Sequence, residues 1–378
     1  MTMFSSVVKE PKRKTGARFI DCDIHNEVPS SEVLKQYLPL RWRNYMDMVG
    51  LRSYHGFANH IPYPKGNPGG TRTDSWPPNG QIPGSDLNFM REQLLEPLNL
   101  EYGILNCLYR VGEQLNDEYG AALARAVNDW QIAEWLDKEP RLRASIVIPY
   151  ENAELAADEI NRVASHPGFV QVLIMPRTRE PMGRRKYWKI YEAAENHGLP
   201  IAVHFGGLGG NATTSSGFPS YYIEDHTNMA QAFQCQVISM VCEGVFERFP
   251  NLHTVMLEGG FAWVPSLMWR LDKHWKRLRE EVPFLTRKPS EYIRGHMRFT
   301  TQPMEEPPVA EYLLQVIEHL GSDEMLMFAT DYPHWDYDSP DLTFPPKFPE
   351  SLKQKIFYDN ARSFYRLPDK EEERDDVK

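Results

Sequence analysis

The 378-residue chain predicts a (β/α)8 TIM barrel with long insertions after strands 1 and 5, and three observations carry that expectation. Eight short apolar, β-branched runs recur along it. Segments with apolar residues at three- and four-residue spacing separate many of them, and polar residues able to bind metal gather at the ends of four runs. Runs that are nearly continuous in apolar residues need cover on both faces, which a parallel sheet wrapped by helices supplies. Eight such units close a barrel.

In chain order the runs are 18–25 (RFIDCDIH), 102–109 (YGILNCLY), 143–149 (RASIVIP), 169–175 (FVQVLIM), 200–205 (PIAVHF), 252–258 (LHTVMLE), 296–301 (HMRFTT) and 325–331 (MLMFATD). The helical segments are 116–137, 153–165, 187–197, 229–249 and 309–320, with Gly198 and Gly321 stopping two of them. Residues 56–84 are rich in Gly and Pro, and 206–220 reads GGLGGNATTSSGFPS. On a barrel both follow strands onto the catalytic face, where a long insertion is expected as a lid. Residues 1–17 are expected to form a flexible N-terminal arm, 18–368 a single barrel domain and 369–378 (DKEEERDDVK) a disordered acidic tail.

Composition narrows the partners. Lys+Arg of 42 against Asp+Glu of 52 gives a net charge of -10, the wrong sign for neutralising phosphates, so no nucleic-acid partner is expected. No stretch reaches about 18 uncharged apolar residues and the start has no signal-peptide core, which points to no membrane and a cytoplasmic location. Cys22, Cys107, Cys235 and Cys242 are too few for a disulfide framework and are expected to be reduced and mostly buried. Gly207-Leu208-Gly209-Gly210-Asn211-Ala212 fits a loose dinucleotide fingerprint, but it runs into TTSSGFPS rather than a helix and is set aside.

The chemistry lies at the strand ends. Alternate residues of a strand share a face, so Asp23 and His25 point together into the barrel mouth. Strand five ends in His204, strand six in Glu258, and strand eight in Asp331 followed by His334. Imidazole and carboxylate donors without a thiolate suit one divalent ion, zinc first, with manganese or iron(II) as alternatives. Singly, each residue is more readily a hydrogen-bonded structural group than a ligand. Jointly, a buried cluster of this kind costs several kcal/mol unless a cation or mutual pairing compensates it.

Asp-x-Asp-x-His at 21–25, LPIAVHFGG at 199–207, FPNLHTVMLEGGFAWVPSLMWRLD at 249–272, FATDYPHWD at 328–336 and DNARSFYRL at 359–367 form an ordered set. As a set they resemble the amidohydrolase-related proteins (amidohydrolase family 2) of the aminocarboxymuconate-semialdehyde decarboxylase type. The resemblance implies Asp23, His25, His204 and Asp331 as metal ligands, with Asp23 where that family usually has His or Glu. It implies a homodimer. The decarboxylases carry a His at the end of strand six, where this chain has Glu258. Strand four ends Ile174-Met175-Pro176-Arg177, without the Lys that bridges two ions in dinuclear amidohydrolases, so one ion is expected, with Glu258 as the residue able to recruit a second.

Two enzyme readings follow. In the first, metal-activated water hydrolyses a small carboxylic derivative (an amide, lactone or thioester), with Glu258 or His334 moving the proton and Asp331 both ligand and catalytic group. The alternative is metal-dependent nonoxidative decarboxylation of a hydroxyaryl or unsaturated carboxylic acid. A more remote reading is a non-catalytic binding barrel. Arg177 is the candidate clamp for a substrate carboxylate, set against membership of a solvated basic patch. Tyr222 and Trp263 are further candidate substrate contacts, Trp263 being set against helix packing.

Overall fold

The computed structural model describes residues 18–49, 70–112, 114–206 and 212–368. The expected arm and acidic tail, and residues 56–69 and 207–211 of the two insertions, lie outside the described residues.

Eight strands form one sheet: β1 (Phe19–Ile24), β2 (Leu100–Leu105), β3 (Leu142–Val147), β4 (Phe169–Ile174), β5 (Ile201–His204), β6 (Thr254–Leu257), β7 (Met297–Thr300) and β8 (Leu326–Met327). Each pairs in parallel with the next in sequence order. The circle closes through backbone hydrogen bonds between the first strand and the β8 segment. Cys22 N donates to Phe328 O at 3.0 Å, His25 N to Tyr332 O at 2.7 Å, and Asp331 N to Asp23 O at 3.0 Å. This is the (β/α)8 barrel that the eight runs predict.

Apolar side chains from six strands, among them Ile20, Ile104, Leu173, Ala202, Leu257 and Met327, share one buried cluster, which only the barrel interior allows. Tyr358, Ala361, Tyr365 and Leu367 of the C-terminal segment pack against it. A polar layer accompanies this cluster. Tyr365 Oη donates to Gln171 Oε1 at 2.9 Å, Gln171 Nε2 to Asn106 Oδ1 at 3.0 Å, and Asn106 Nδ2 to Asp23 Oδ1 at 2.8 Å.

Two local features aim residues at the mouth. Between Asp21 and Ile24, β1 advances three residues while β2 advances two, from Gly103 to Leu105. The extra residue is a bulge that re-aims side chains. It lets Cys22 join the interior cluster while Asp23 and His25 also turn inward. The helix expected over 229–249 is two helices, Tyr222–Cys242 and Val245–Arg248, divided at Gly244 with φ 74°. It starts seven residues early because Glu224 Oε2 accepts the Tyr221 N–H at 2.8 Å, a capping contact that apolar periodicity does not register. Tyr222 and His226 thereby stand one helical turn apart.

The described part of the first insertion lies along the segment after β8. Thr71 bridges His334, Arg72 N donates to Pro333 O, and Trp335 N donates to Gly70 O. Gly84 approaches the site from the other side: its φ is +77°, and a Cβ there would stand 2.6 Å from His25 O. Among the cysteines, Cys22 and Cys107 are buried, but Cys242 is half-buried and Cys235 exposed, correcting the expectation that most are buried. Both lie on the outer helix Tyr222–Cys242, away from the strands.

Candidate metal centre

Asp23, His25, His204 and Asp331 converge at the C-terminal ends of β1, β5 and the β8 segment, each fully buried, with one donor atom from each within 4.8 Å of the others. His25 Nε2 lies 2.8 Å from Asp331 Oδ1 and 3.4 Å from Asp23 Oδ1. His204 Nε2 lies 3.1 Å from Asp23 Oδ2. Two donors each about 2.0–2.2 Å from a shared ion, at ordinary coordination angles, stand roughly 2.8–3.6 Å apart. The observed spacings fit that range.

The outward-facing nitrogens are fixed. His25 Nδ1 meets Asn106 O at 2.8 Å and His204 Nδ1 meets Phe205 O at 2.8 Å, so each ring offers Nε2 to the centre. Asp23 Oδ2 and His204 Nε2 are buried and make no hydrogen bond despite their 3.1 Å separation. Orphaned facing donors of this kind are what a shared cation satisfies. The donor set, two imidazoles and two carboxylates with no thiolate, fits a divalent ion.

Electrostatics agree. Burial pushes the Asp331 carboxyl well above the usual range, and the Glu258 carboxylate adds to it. Burial opposes ionisation of Asp23, yet His204 and His25 together hold it at about 2. The same burial disfavours charge on His204, but Asp23 overrides it and raises the imidazole to about 10. Burial, helped by His334, depresses His25. A divalent cation would take over the neutralising role and leave both imidazoles as neutral ligands.

The remaining expected residues fall into place unevenly. Glu258, at the end of β6, stands with Oε2 3.6 Å from His204 Nε2. His334 Nδ1 meets Asp331 Oδ1 at 2.8 Å, and its side chain keeps 16% exposure at the mouth. Glu258 and Asp331 both have positive φ, 57° and 63°. A non-glycine residue in that region costs about 1–2 kcal/mol, and such strain collects at functional sites. Tyr222 stacks near His226, with centroids 5.6 Å apart, and accepts a hydrogen bond from Trp335 Nε1. Arg177 is nearly buried; its Nε donates to Gly206 O at 3.0 Å and its Nη1 lies 3.6 Å from Asp225. These contacts fix it within the loops after β4 and β5 rather than in a solvated patch. Trp263 donates to Gly259 O and packs edge-on against Phe299, beside the Glu258 turn.

Three site residues escape the strand-end reasoning. Gln302 Nε2 donates to both Asp331 Oδ2 at 3.2 Å and Asp336 Oδ2 at 3.0 Å. Asn106 orients Asp23 from β2. His226, from the helix after β5, places Nε2 3.1 Å from Asp336 Oδ2 and 3.4 Å from Glu258 Oε1. Asn106 follows β2 directly and Gln302 follows the 296–301 run, and a polar residue at each of those positions was the available signal.

An amidohydrolase family profile matches residues 20–367. The chain belongs to the amidohydrolase family. As a member it is a metal-dependent hydrolase or carboxy-lyase with a divalent metal centre, which removes the non-catalytic reading. Among curated proteins it is 25% identical to a gamma-resorcylate decarboxylase of Polaromonas sp. strain JS666, over 75% of this chain and 88% of the relative. Among solved structures it is similar to a 5-carboxyvanillate decarboxylase from Sphingomonas paucimobilis, at 24% identity and TM-score 0.62, covering 93% of this chain and all of that one. It is also similar to a dihydroxybenzoic acid decarboxylase from Polaromonas sp. JS666 with bound manganese and 2-nitroresorcinol, at 20% identity and TM-score 0.65, covering 94% and 99%. The structural likenesses show the shared fold. Among the described residues no helix is long and apolar enough to cross a membrane.

Proposed function

We propose that this amidohydrolase is a nonoxidative decarboxylase of a hydroxyaryl carboxylic acid, acting as a cytoplasmic homodimer with one primary metal ion, manganese or zinc. The observation that carries the reading is the convergence of Asp23, His25, His204 and Asp331 in a chain whose curated relatives, matched over 88% of their length, are decarboxylases. Hydrolysis, the first reading from sequence, rests on the superfamily alone and becomes the second.

A divalent ion held by Asp23, His25, His204 and Asp331 would supply Lewis acidity toward the substrate's carboxylate and neighbouring hydroxyl. The chain's own residues supply the rest. Breaking the bond to the carboxylate leaves its electron pair on the ring carbon, which a proton must then meet as CO2 departs. We assign that transfer to His334: its Nδ1 faces Asp331 Oδ1 at 2.8 Å, leaving Nε2 to take up a proton from solvent, and burial favours passing that proton on to the ring carbon. Glu258, 3.6 Å from His204 Nε2, adds a carboxylate beside the centre. Arg177 and the aromatic wall of Tyr222 and Trp335 orient an aryl acid at the mouth.

The test is incubation of manganese- or zinc-loaded enzyme with a panel of dihydroxybenzoates and carboxylated methoxyphenols in deuterated water. CO2 release with one deuterium at the vacated ring position is expected. Solvent oxygen-18 entering the product of an ester or amide panel, without CO2 release from any acid, would overturn decarboxylation in favour of hydrolysis. His334→Asn should lower kcat by roughly 10²–10⁴-fold with KM little changed, as expected for loss of a positioned proton carrier.

A further inference from the structure

A second group of donors lies beside the first. His226, Glu258 and Asp336 bring one ligand atom each within 4.8 Å of one another, from the helix after β5, the end of β6 and the loop after β8. His226 Nε2 stands 3.1 Å from Asp336 Oδ2 and 3.4 Å from Glu258 Oε1. Both separations fall in the same roughly 2.8–3.6 Å window that donors around one ion occupy.

Two donor atoms of this group, like two of the first, lack a hydrogen-bond partner. His226 Nε2 makes no hydrogen bond of good geometry although Asp336 Oδ2 and Glu258 Oε1 stand 3.1 and 3.4 Å away. Glu258 Oε2 is also without a hydrogen-bond partner, on a side chain only 4% exposed. The primary centre shows the same signature in His204 Nε2 and Asp23 Oδ2. Glu258 connects the two groups, with Oε1 toward His226 and Oε2 toward His204. Gln302 ties them from behind by donating one amide nitrogen to Asp331 and Asp336 together.

Charge gives the reason for a second ion. Asp23, Asp331, Glu258 and Asp336 place four carboxylates around the pocket, and one divalent ion neutralises half of them. Carboxylate-rich sites of this kind take hard cations in pairs, about 3.5–4 Å apart, with a carboxylate between.

We infer that His226, Glu258 and Asp336 form a second divalent-cation site, with Glu258 as the carboxylate shared between it and the Asp23, His25, His204 and Asp331 centre. The inference rests on the primary metal reading but not on the reaction, since no substrate is needed to test it. The Nε2 of His226 binds as a neutral donor, so filling the site with an ion excludes a proton from that nitrogen.

The experiment loads the full-length protein with manganese(II) after chelator treatment, counts bound metal by elemental mass spectrometry after desalting, and records electron paramagnetic resonance at each equivalent. Two manganese ions per chain are expected. The isolated six-line signal of the first equivalent should broaden and lose intensity as the second couples to it through Glu258. His226→Ala and Asp336→Asn should each hold one manganese with the uncoupled signal retained, and circular dichroism should match the parent. A parent that saturates at one uncoupled manganese overturns the second site and leaves the primary one standing. A parent that binds none overturns both. Two ions retained in both variants would also overturn it, by moving the second ion elsewhere.

Discussion

Asn106 shows how a neutral side chain governs a charged centre. Its amide donates to Asp23 Oδ1 and to Cys22 O, while its own oxygen accepts from Gln171 and Ser145, so the amide cannot rotate without breaking several bonds inside the barrel. Asp23 is thereby held in one orientation within the candidate metal centre. Replacing Asn106 with Ala should weaken manganese binding by roughly 10–100-fold, the usual consequence of losing a partner behind a ligand. Isothermal titration of metal-free protein measures it, and unchanged affinity would show that His204 alone positions Asp23. At this scale the sequence was legible where chemistry and alternation coincide. Asp23, His25, His204, Glu258 and Asp331 stand at or just past strand ends, where each alone has an ordinary structural reading and only the set points to a cation. His226 could be suspected near the pocket but not assigned to it, because its placement depends on where a helix begins, and Glu224 decides that by capping it seven residues ahead of the apolar pattern. Arg177 was visible as a charge, but its partner Asp225 is set by the path of the loop after β5.

Among elements, the turn that carries Gly84 packs against the backbone just after β1, beside His25. Its left-handed backbone and the 2.6 Å approach of a would-be Cβ to His25 O leave no room for a side chain. Gly84→Ala should destabilise the protein by about 1–3 kcal/mol, from strain plus displacement of the β1 end. Thermal unfolding would read this as a lowered Tm, and an unchanged Tm would mean that the turn yields without cost. The connection from the helix Asp117–Gln131 to β3 offers a pH test remote from the metal. Burial works against charge on Glu139, but Arg141 and Arg91 hold its carboxylate down at about 2. A folded-state pKa below the unfolded value near 4.5 stabilises the fold above that value, and the contribution is lost as pH falls toward 2. Urea unfolding at pH 6 and pH 3 should show a larger loss in the parent than in Glu139→Gln. Equal losses would remove Glu139 from the acid response. Strand order was readable because β-branched runs are short and punctuated; the β1 bulge was not, since it exists only in the pairing of β1 with β2.

For the whole molecule, the candidate metal centre would also act as a structural tie. Asp23 and His25 come from the first strand and Asp331 from the last, so an ion bound among them joins the two ends of the sheet where the barrel closes. Ligand binding to the folded state alone stabilises by mass action, about 2.7 kcal/mol when free metal is a hundred times its dissociation constant. Chelator treatment should lower Tm, added manganese should restore it in a concentration-dependent way, and Asp331→Asn should respond to neither. A Tm indifferent to metal in the parent would show that the closure hydrogen bonds suffice alone.

The polar chain from Tyr365 through Gln171 and Asn106 to Asp23 has a consequence for how the protein comes into being. His25 and Asp331 are 306 residues apart. At a synthesis rate of about 5–20 residues per second, roughly 15–60 s pass between them on the ribosome. Tyr365, at the far end of the chain of amides, is made later still. A metal ion that needs Asp331 as well as Asp23 and His25 could therefore be held only after the last strand has been made.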